Sequence, residues 1–335
     1  MRKSALTSRK TTTTISVVDF ESTVQEWLLD CEIRQHSAAT LSLRKVITEK
    51  LIWFLKENRH EHCGTPELKA FIAYIGRADH GSAGRWGNGR KCSQARPSTI
   101  RTFYAHLRTF FRWAVEEGML SDSPMESIAP PILRNDQVQP FSETQIEALI
   151  RESKRSRHPK RDEVIVRLLY DTGMRASELC SLKTKNLDVT GRRCVVQGKG
   201  NKYRTVYFGK QTAKALMHYL RESPREPGQT VFYSDRGTQT GEALRPNGLL
   251  QLIGRIGTGA KIEATRCSPH TFRHSFAVQF LRAGGNVFSL KEILGHTTLT
   301  MVNRYVALAQ ADIENQHRQF SPGDRLGARG GLDRF

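Results

Sequence analysis

Apolar residues return at three- and four-residue intervals through the first third of this chain, and that spacing restricts the region to helices. Phe20, Val24, Trp27, Leu28 and Cys31 share one face at helical spacing, as do Leu43, Ile47, Leu51, Phe54 and Leu55. Thr65-Pro66-Glu67 opens a further helix with an N-cap, a proline in the first turn and an acid at the positive end of the dipole. Leu68, Phe71, Ile72 and Ile75 follow on a single face. A basic, glycine-rich stretch, Gly81–Arg96, carries Trp86. The next helix has Ile100, Phe103, Leu107, Phe110, Phe111 and Ala114 as its apolar stripe, with Arg101, Arg108 and Arg112 about 140° away at 100° per residue. Without an interleaved acid, that arginine stripe is either a solvated face or a row of phosphate contacts.

Residues 118–139 read as a linker, with Gly118 ending the helix and Pro124, Pro130 and Pro131 within it. A second unit opens at Phe141-Ser142-Glu143-Thr144-Gln145-Ile146, where Ser142 and Gln145 form a capping box and Phe141 and Ile146 a hydrophobic staple. Arg193–Gly198 and Tyr203–Phe208 read as two strands turning through Gly198-Lys199-Gly200-Asn201-Lys202. The remainder is mostly helical, and no repeat is evident. The expected organisation is a basic arm (1–18), a helical domain (19–117), the linker (118–139), a second domain (140–320) and a flexible glycine-rich tail (321–335). The fold class is mainly α with a small antiparallel β-sheet.

Composition enters through charge. The 335 residues carry 52 Lys and Arg against 33 Asp and Glu, a net +19. Most of that excess follows the linker. A positive field of this size collects polyanions and raises their encounter rate, and a basic secreted protein or a basic enzyme without a nucleic-acid role is the lesser alternative on composition. No run approaches the roughly 18 uninterrupted apolar residues of a membrane span. The six cysteines form no C-x-x-C pair, which suggests neither a zinc site nor a disulfide framework and points to a reducing, cytoplasmic setting.

Four clusters carry candidate chemistry. In Thr172–Leu179, Arg175 and Glu178 lie one helical turn apart, so the carboxylate can orient the guanidinium; an ordinary surface ion pair is the alternative. Lys199 sits at the hairpin tip, either as solvated charge or as a mobile proton donor. In Pro269–His274, His270 and Arg273 share a face. His270 and His274 have the spacing of a metal pair, but the arginine in that turn repels a cation and no acidic third ligand is near. Leu294-Gly295-His296 precedes Tyr305 by nine residues. Two arginines, a lysine, two histidines and a tyrosine, without a catalytic carboxylate, suit the holding of a phosphodiester while an oxygen nucleophile attacks it.

In this order, Arg175, Lys199, His270-x-x-Arg273, Leu-Gly-His296 and Tyr305 resemble the tyrosine recombinase, or phage integrase, family over about residues 19–325. The Leu107-Arg-Thr-Phe-Phe-Arg-Trp-Ala…Gly118-Met-Leu…Pro124 run resembles the end of that family's SAM-like helical core-binding domain. The resemblance implies a catalytic domain in which Tyr305 attacks the scissile phosphate to give a 3′-phosphotyrosyl link. His270 is then the base, Lys199 the acid for the leaving 5′-oxygen, Arg175, Arg273 and His296 the clamp on the phosphate, and Glu178 the buttress of Arg175. It implies no metal, ATP or other cofactor. It further implies two domains clamping duplex DNA at specific recombination sites, and a homotetramer on two duplexes exchanging strands through a Holliday junction. Ala309–His317 then docks on a neighbouring subunit. Arg101, Arg108, Arg112, Lys154, Arg155, Arg157, Lys160, Arg161, Lys202 and Arg204 are the candidate contacts to the DNA backbone. The leading reading is a recombinase of a mobile element, favoured by the Gly81–Arg96 insertion and the basic arm. A chromosome-dimer-resolving Xer-type enzyme, a type IB topoisomerase and a catalytically silent repressor are the alternatives.

Overall fold

The computed structural model describes residues 12–90, 92–132, 139–198, 202–234, 241–263, 265–296, 298–299, 302–303, 305–306, 317–318 and 321–323. The chain divides into two compact units, Met1–Asp136 and Gln137–Phe335.

The first unit is built on four helices: α1 (Val17–Ile33), α2 (Ala38–Glu57), α3 (Thr65–Gly76) and α4 (Pro97–Glu116). Ser16 and Ser37 cap α1 and α2 by accepting backbone N–H groups of their first turns. At α3 the Glu67 carboxylate reaches back to the Gly64 N–H at 2.9 Å. The apolar stripes meet in one core where Phe110 packs against Phe20 at 5.2 Å and edge-on against Trp27 at 5.3 Å. Trp86 fastens the Gly81–Arg96 stretch to this core, touching Trp53, Phe71, Tyr74 and Phe103. Its backbone N–H donates to the Tyr74 hydroxyl at 3.0 Å.

Two expectations change here. Residues 12–18 are not a free arm: strand β1 (Ile15–Ser16) pairs antiparallel with β2 (His62–Cys63), and Ile15 and Val17 are buried. Met1–Thr11 lie outside the described residues. The expected linker also starts as packed structure. Leu120, Met125 and Ile128 join the core, and the carbonyls of Pro124, Ile128 and Pro131 accept hydrogen bonds from Thr65, Tyr104 and Arg101.

The second unit opens on the expected capping box, with Ser142 and Gln145 hydrogen-bonded reciprocally at the start of α5 (Glu143–Ser153) and both Phe141 and Ile146 buried. Helix α6 (Pro159–Thr172) packs against α5, α8 (Lys210–Glu222) and α10 (Pro269–Arg282), while α7 (Ala176–Cys180) packs on α9 (Pro246–Gly259) and α11 (Val287–Leu294) on α10. Helix α6 buries Val164, Ile165, Val166, Leu168 and Leu169, an almost continuous apolar run that only a helix covered on several sides tolerates. The antiparallel sheet is β3 (Leu187–Asp188), β4 (Arg193–Gln197) and β5 (Tyr203–Tyr207), in that order, with Val195 opposite Thr205. Among the described residues no helix is long and apolar enough to cross a membrane.

Candidate active site

Helix α6 ends because Gly173 turns left-handed at φ 59°. A side chain there would start 2.5 Å from Phe276 and 3.0 Å from Leu294, so the turn demands glycine on two counts. After buried Met174, Arg175 occupies the N-cap of α7. Its backbone N–H donates to Glu178 Oε2 at 2.7 Å, its Nη1 to Glu178 Oε1 at 2.8 Å and its Nη2 to the Gly295 carbonyl at 3.0 Å. This is more than a surface pair, because the Glu178 side chain is fully buried.

A second arginine completes the arrangement. Arg204 on β5 grips both oxygens of Glu178, Nη1 to Oε1 at 2.5 Å and Nη2 to Oε2 at 2.8 Å, and its Nε donates to the Ile293 carbonyl at 2.7 Å. Burial alone would raise the Glu178 carboxyl, but the hydrogen bonds from Arg204 and Arg175 outweigh it and hold the group below the usual carboxylate range.

Arg273, on the first turns of α10, is buried. Its Nη1 donates to the Gly173 carbonyl at 2.9 Å, and its Nη2 to the Leu294 carbonyl at 2.7 Å and to His296 Nε2 at 3.1 Å. Burial, then the neighbouring Arg175 charge, pushes its guanidinium below the ordinary arginine value; it remains cationic at neutral pH. Since a guanidinium only donates, Nε2 of His296 accepts and the ring carries its proton on Nδ1. Burial and then the charges of Arg273 and Arg175 push His296 down to about 4, so it is neutral at pH 7.

Tyr305 is buried, with its ring centroid 5.2 Å from that of His274 and 6.2 Å from that of His296. His270 is exposed at the start of α10, one turn before Arg273. Arg175, Arg273, His296 and Tyr305 are therefore brought together around the C-terminal end of α11. Lys199 lies outside the described residues. Among the described residues no group of three or more His, Cys, Asp or Glu is arranged to hold a metal ion.

Two of the ten candidate DNA contacts are corrected. Arg204 is spent on Glu178 and Ile293, and Arg161 is buried with Nε on Asp162 at 2.8 Å and Nη1 on the Tyr233 carbonyl at 3.0 Å. Arg101 is half-buried and donates to Pro131. Arg112 is exposed beside Glu116, and Lys154, Arg155 and Lys160 pair with Glu163, Glu152 and Glu222 at the surface. Arg108, Arg157 and Lys202 are exposed. The role of Arg204 was within reach of the sequence: it alternates inward with buried Val206, and an inward arginine on a strand needs a buried acid. Sequence reasoning also misses a cavity of about 520 Å³ at the start of α9, to which Arg245, Asn247, Gln251 and Arg255 contribute polar groups.

Comparison with known proteins bears on the family and the fold. The model of the phage integrase family matches residues 139–312. Tyrosine recombinase XerC of Mycobacterium sp. (strain KMS) is 31% identical over 251 residues, covering 69% of this chain and 80% of that protein. Tyrosine recombinase XerD of Listeria monocytogenes is 29% identical over 233 residues, covering 68% and 77%. Among solved structures, the Tn1549 transposon integrase in complex with transposon right end DNA has the same fold, with a TM-score of 0.65 at 19% identity over 90% of this chain and 99% of that one. A lambda integrase dimer bound to a COC′ core site gives 0.64 at 16% identity over 84% and 96%.

Proposed function

This chain belongs to the phage integrase family of tyrosine recombinases, enzymes that cleave and rejoin DNA, and from that premise we propose that it is a site-specific recombinase whose nucleophile is Tyr305. The observation that carries this reading is the convergence of Arg175 and Arg273 on the consecutive carbonyls of Gly295 and Leu294, with His296 on Arg273 and Tyr305 against His296.

In the proposed reaction Tyr305 Oη attacks the scissile phosphorus and the P–O5′ bond breaks, leaving a 3′-phosphotyrosyl ester and a 5′-hydroxyl. The tyrosine proton passes to His270, and Lys199 protonates the departing 5′-oxygen. Arg175 already spends one N–H of Nη1 and one of Nη2 on protein oxygens, and Arg273 one of Nη1 and one of Nη2 on carbonyls and the other of Nη2 on His296 Nε2. Of the five N–H groups in each guanidinium, the rest are left for the non-bridging oxygens. Neutral His296 adds its Nδ1–H. Positioning and charge stabilisation are the main work of such a transfer. The ester keeps the energy of the broken bond, so the 5′-hydroxyl of a second strand reseals it.

The proposal extends to a homotetramer on two duplexes, a Holliday junction intermediate, trans docking of the chain after Tyr305 and action in the cytoplasm. Ala309–Gln316 of that docking segment, and the tail from Asp324, lie outside the described residues. The helical unit and the catalytic unit are the proposed DNA-binding modules. The mobile-element reading rests on the Gly81–Arg96 insertion; the basic arm lends it less, since residues 12–18 belong to the folded unit. A chromosomal, Xer-type role is the second reading, favoured by the XerC and XerD relatives.

The test uses overlapping nicked duplexes from the DNA flanking the gene and from the replication-terminus region of the same genome. Wild type is expected to form an adduct that survives denaturing electrophoresis. Tyr305→Phe is expected to form none while binding the same duplex with similar affinity. Wild-type protein that forms no adduct on any duplex it binds specifically removes the reading. Adducts confined to flanking DNA favour the mobile element, and adducts confined to the terminus region favour the Xer-type role.

A further inference from the structure

Three consecutive carbonyls close α11, and each accepts from a different arginine: Ile293 from Arg204 Nε at 2.7 Å, Leu294 from Arg273 Nη2 at 2.7 Å and Gly295 from Arg175 Nη2 at 3.0 Å. The negative end of the helix dipole favours cations there. Arg273 and Arg175 belong to the reaction described above; Arg204 does not. Each of its three guanidinium nitrogens already donates to a protein oxygen, and its side chain is only 13% exposed. It is held in the protein rather than offered to DNA.

What Arg204 holds is informative. Its fork takes both oxygens of Glu178, which fixes the plane of the carboxylate. The same oxygens receive the Arg175 backbone N–H and Nη1, so the fork sets where the Arg175 guanidinium points. The stem of Arg204 covers the loop before His296: a Cβ on Gly295 would lie 3.2 Å from Arg204 Cδ. A Cβ on Gly198, the residue before Lys199, would lie 3.6 Å from both Arg204 Nη1 and Glu178 Oε1. One side chain thus touches the supports of Arg175, of the loop bearing His296 and of the hairpin that leads to Lys199.

We propose that Arg204 is a positioning residue for strand cleavage, its planar fork on Glu178 and Ile293 registering Arg175 and the β4–β5 hairpin against the C-terminal end of α11. This rests on the recombinase reading. A lysine keeps the charge but not the fork: its single ammonium cannot meet two carboxylate oxygens and a carbonyl in one plane. Since a displacement of about 1 Å at a reacting centre costs up to about 100-fold, loss of the register is expected to slow cleavage about tenfold or more.

The experiment compares wild type with Arg204→Lys and Arg204→Met on a nicked duplex that gives a wild-type adduct. It measures the adduct-forming rate at saturating DNA, the half-saturating DNA concentration, the slope of log affinity against log salt, and Tm. The expected result is a saturated rate about tenfold or more below wild type in both variants, with half-saturation and salt slope unchanged. Cleavage by Arg204→Lys at the wild-type rate overturns the proposal. So does an unchanged saturated rate with weaker binding and a salt slope reduced by about one, the mark of a phosphate contact. If Arg204→Met does not fold, Arg204→Lys carries the test; a lysine variant that has also lost specific binding and a cooperative transition makes Arg204 a brace of the fold and overturns the assignment. Failure of wild type to form an adduct speaks against the recombinase reading instead, so the two are separable.

Discussion

Glu178→Gln is the perturbation whose consequences the geometry specifies most closely. The carboxylate accepts four N–H groups, two on each oxygen: Oε1 from Nη1 of Arg175 and Nη1 of Arg204, Oε2 from the Arg175 backbone and Nη2 of Arg204. Either flip of a glutamine amide therefore converts two accepted bonds into donor–donor contacts and removes the counter-charge that stands between the two guanidiniums. Breaking a buried pair costs about 3–5 kcal/mol. Because Arg175 is 33% exposed and water screens its share, the lower end, about 3 kcal/mol, applies. For a unit of this size the fall in Tm is about 6–12 °C, at about 2–4 °C per kcal/mol. The pH dependence supplies the control. The folded state holds the Glu178 carboxyl below its ordinary value of 4.5, so its contribution is complete above that value and is lost as pH falls through the lower folded one. Urea unfolding of both proteins is expected to show a gap of about 3 kcal/mol at pH 7 that narrows on acidification below 4.5. A gap under about 1 kcal/mol at pH 7, the value of an exposed pair, or one that widens in acid, refutes the reasoning.

The remaining predictions use other parts of the molecule. Gly173→Ala meets both a left-handed φ and the Phe276 ring, which together cost about 2–4 kcal/mol; it also displaces the carbonyl that holds Arg273, so adduct formation should fall with stability, and unimpaired cleavage would contradict that link. The His296 ring, held at about 4 by burial and its arginine neighbours, is expected to show no NMR titration near pH 6.5 in the DNA-free protein. Its folded value is lowered, so it leaves stability untouched above about 6.5 and subtracts from it as pH falls from 6.5 toward 4, a slope that His296→Gln should remove. Affinity for a specific duplex should drop roughly 10³-fold or more between 50 and 200 mM salt if six or more phosphates are neutralised, whereas a flat response would speak against phosphate-dominated binding.

The readable parts of this sequence are those where one local rule decides. Helices α1 to α4 follow from apolar spacing, the start of α5 from Ser142 and Gln145, and the hairpin from glycines around alternating residues. Residues 119–131 mislead because their prolines signal a loop while Leu120, Met125 and Ile128 bury themselves without any helical or strand period. Strands β1 and β2 have two residues each, too few to show alternation. Arg161 and Arg204 pass for surface charge because composition does not distinguish an exposed cation from one facing a buried acid; only the partner, Asp162 or Glu178, tells them apart.

That distinction changes how the +19 bears on chemistry. Around the end of α11 stand Arg175, Arg204 and Arg273, against Glu178 and a neutral His296, so these five groups together carry two positive charges. A phosphodiester brings one negative charge, and attack by a deprotonated tyrosine brings a second, so the crowded phosphorus carries about two as the new bond forms. Under the proposed reaction these charges, with the Lys199 ammonium and the proton taken up by His270, gain more from the transition state than from the bound substrate, which is the differential binding that accelerates a step. Glu178 sets that balance as well as the geometry. Without it the three guanidiniums would repel one another and Arg175 would lose the carboxylate that aims it. Glu178→Gln should therefore lose cleavage rate at saturating DNA while keeping affinity for the uncleaved duplex, and a variant that loses affinity and keeps its saturated rate would refute this role of Glu178.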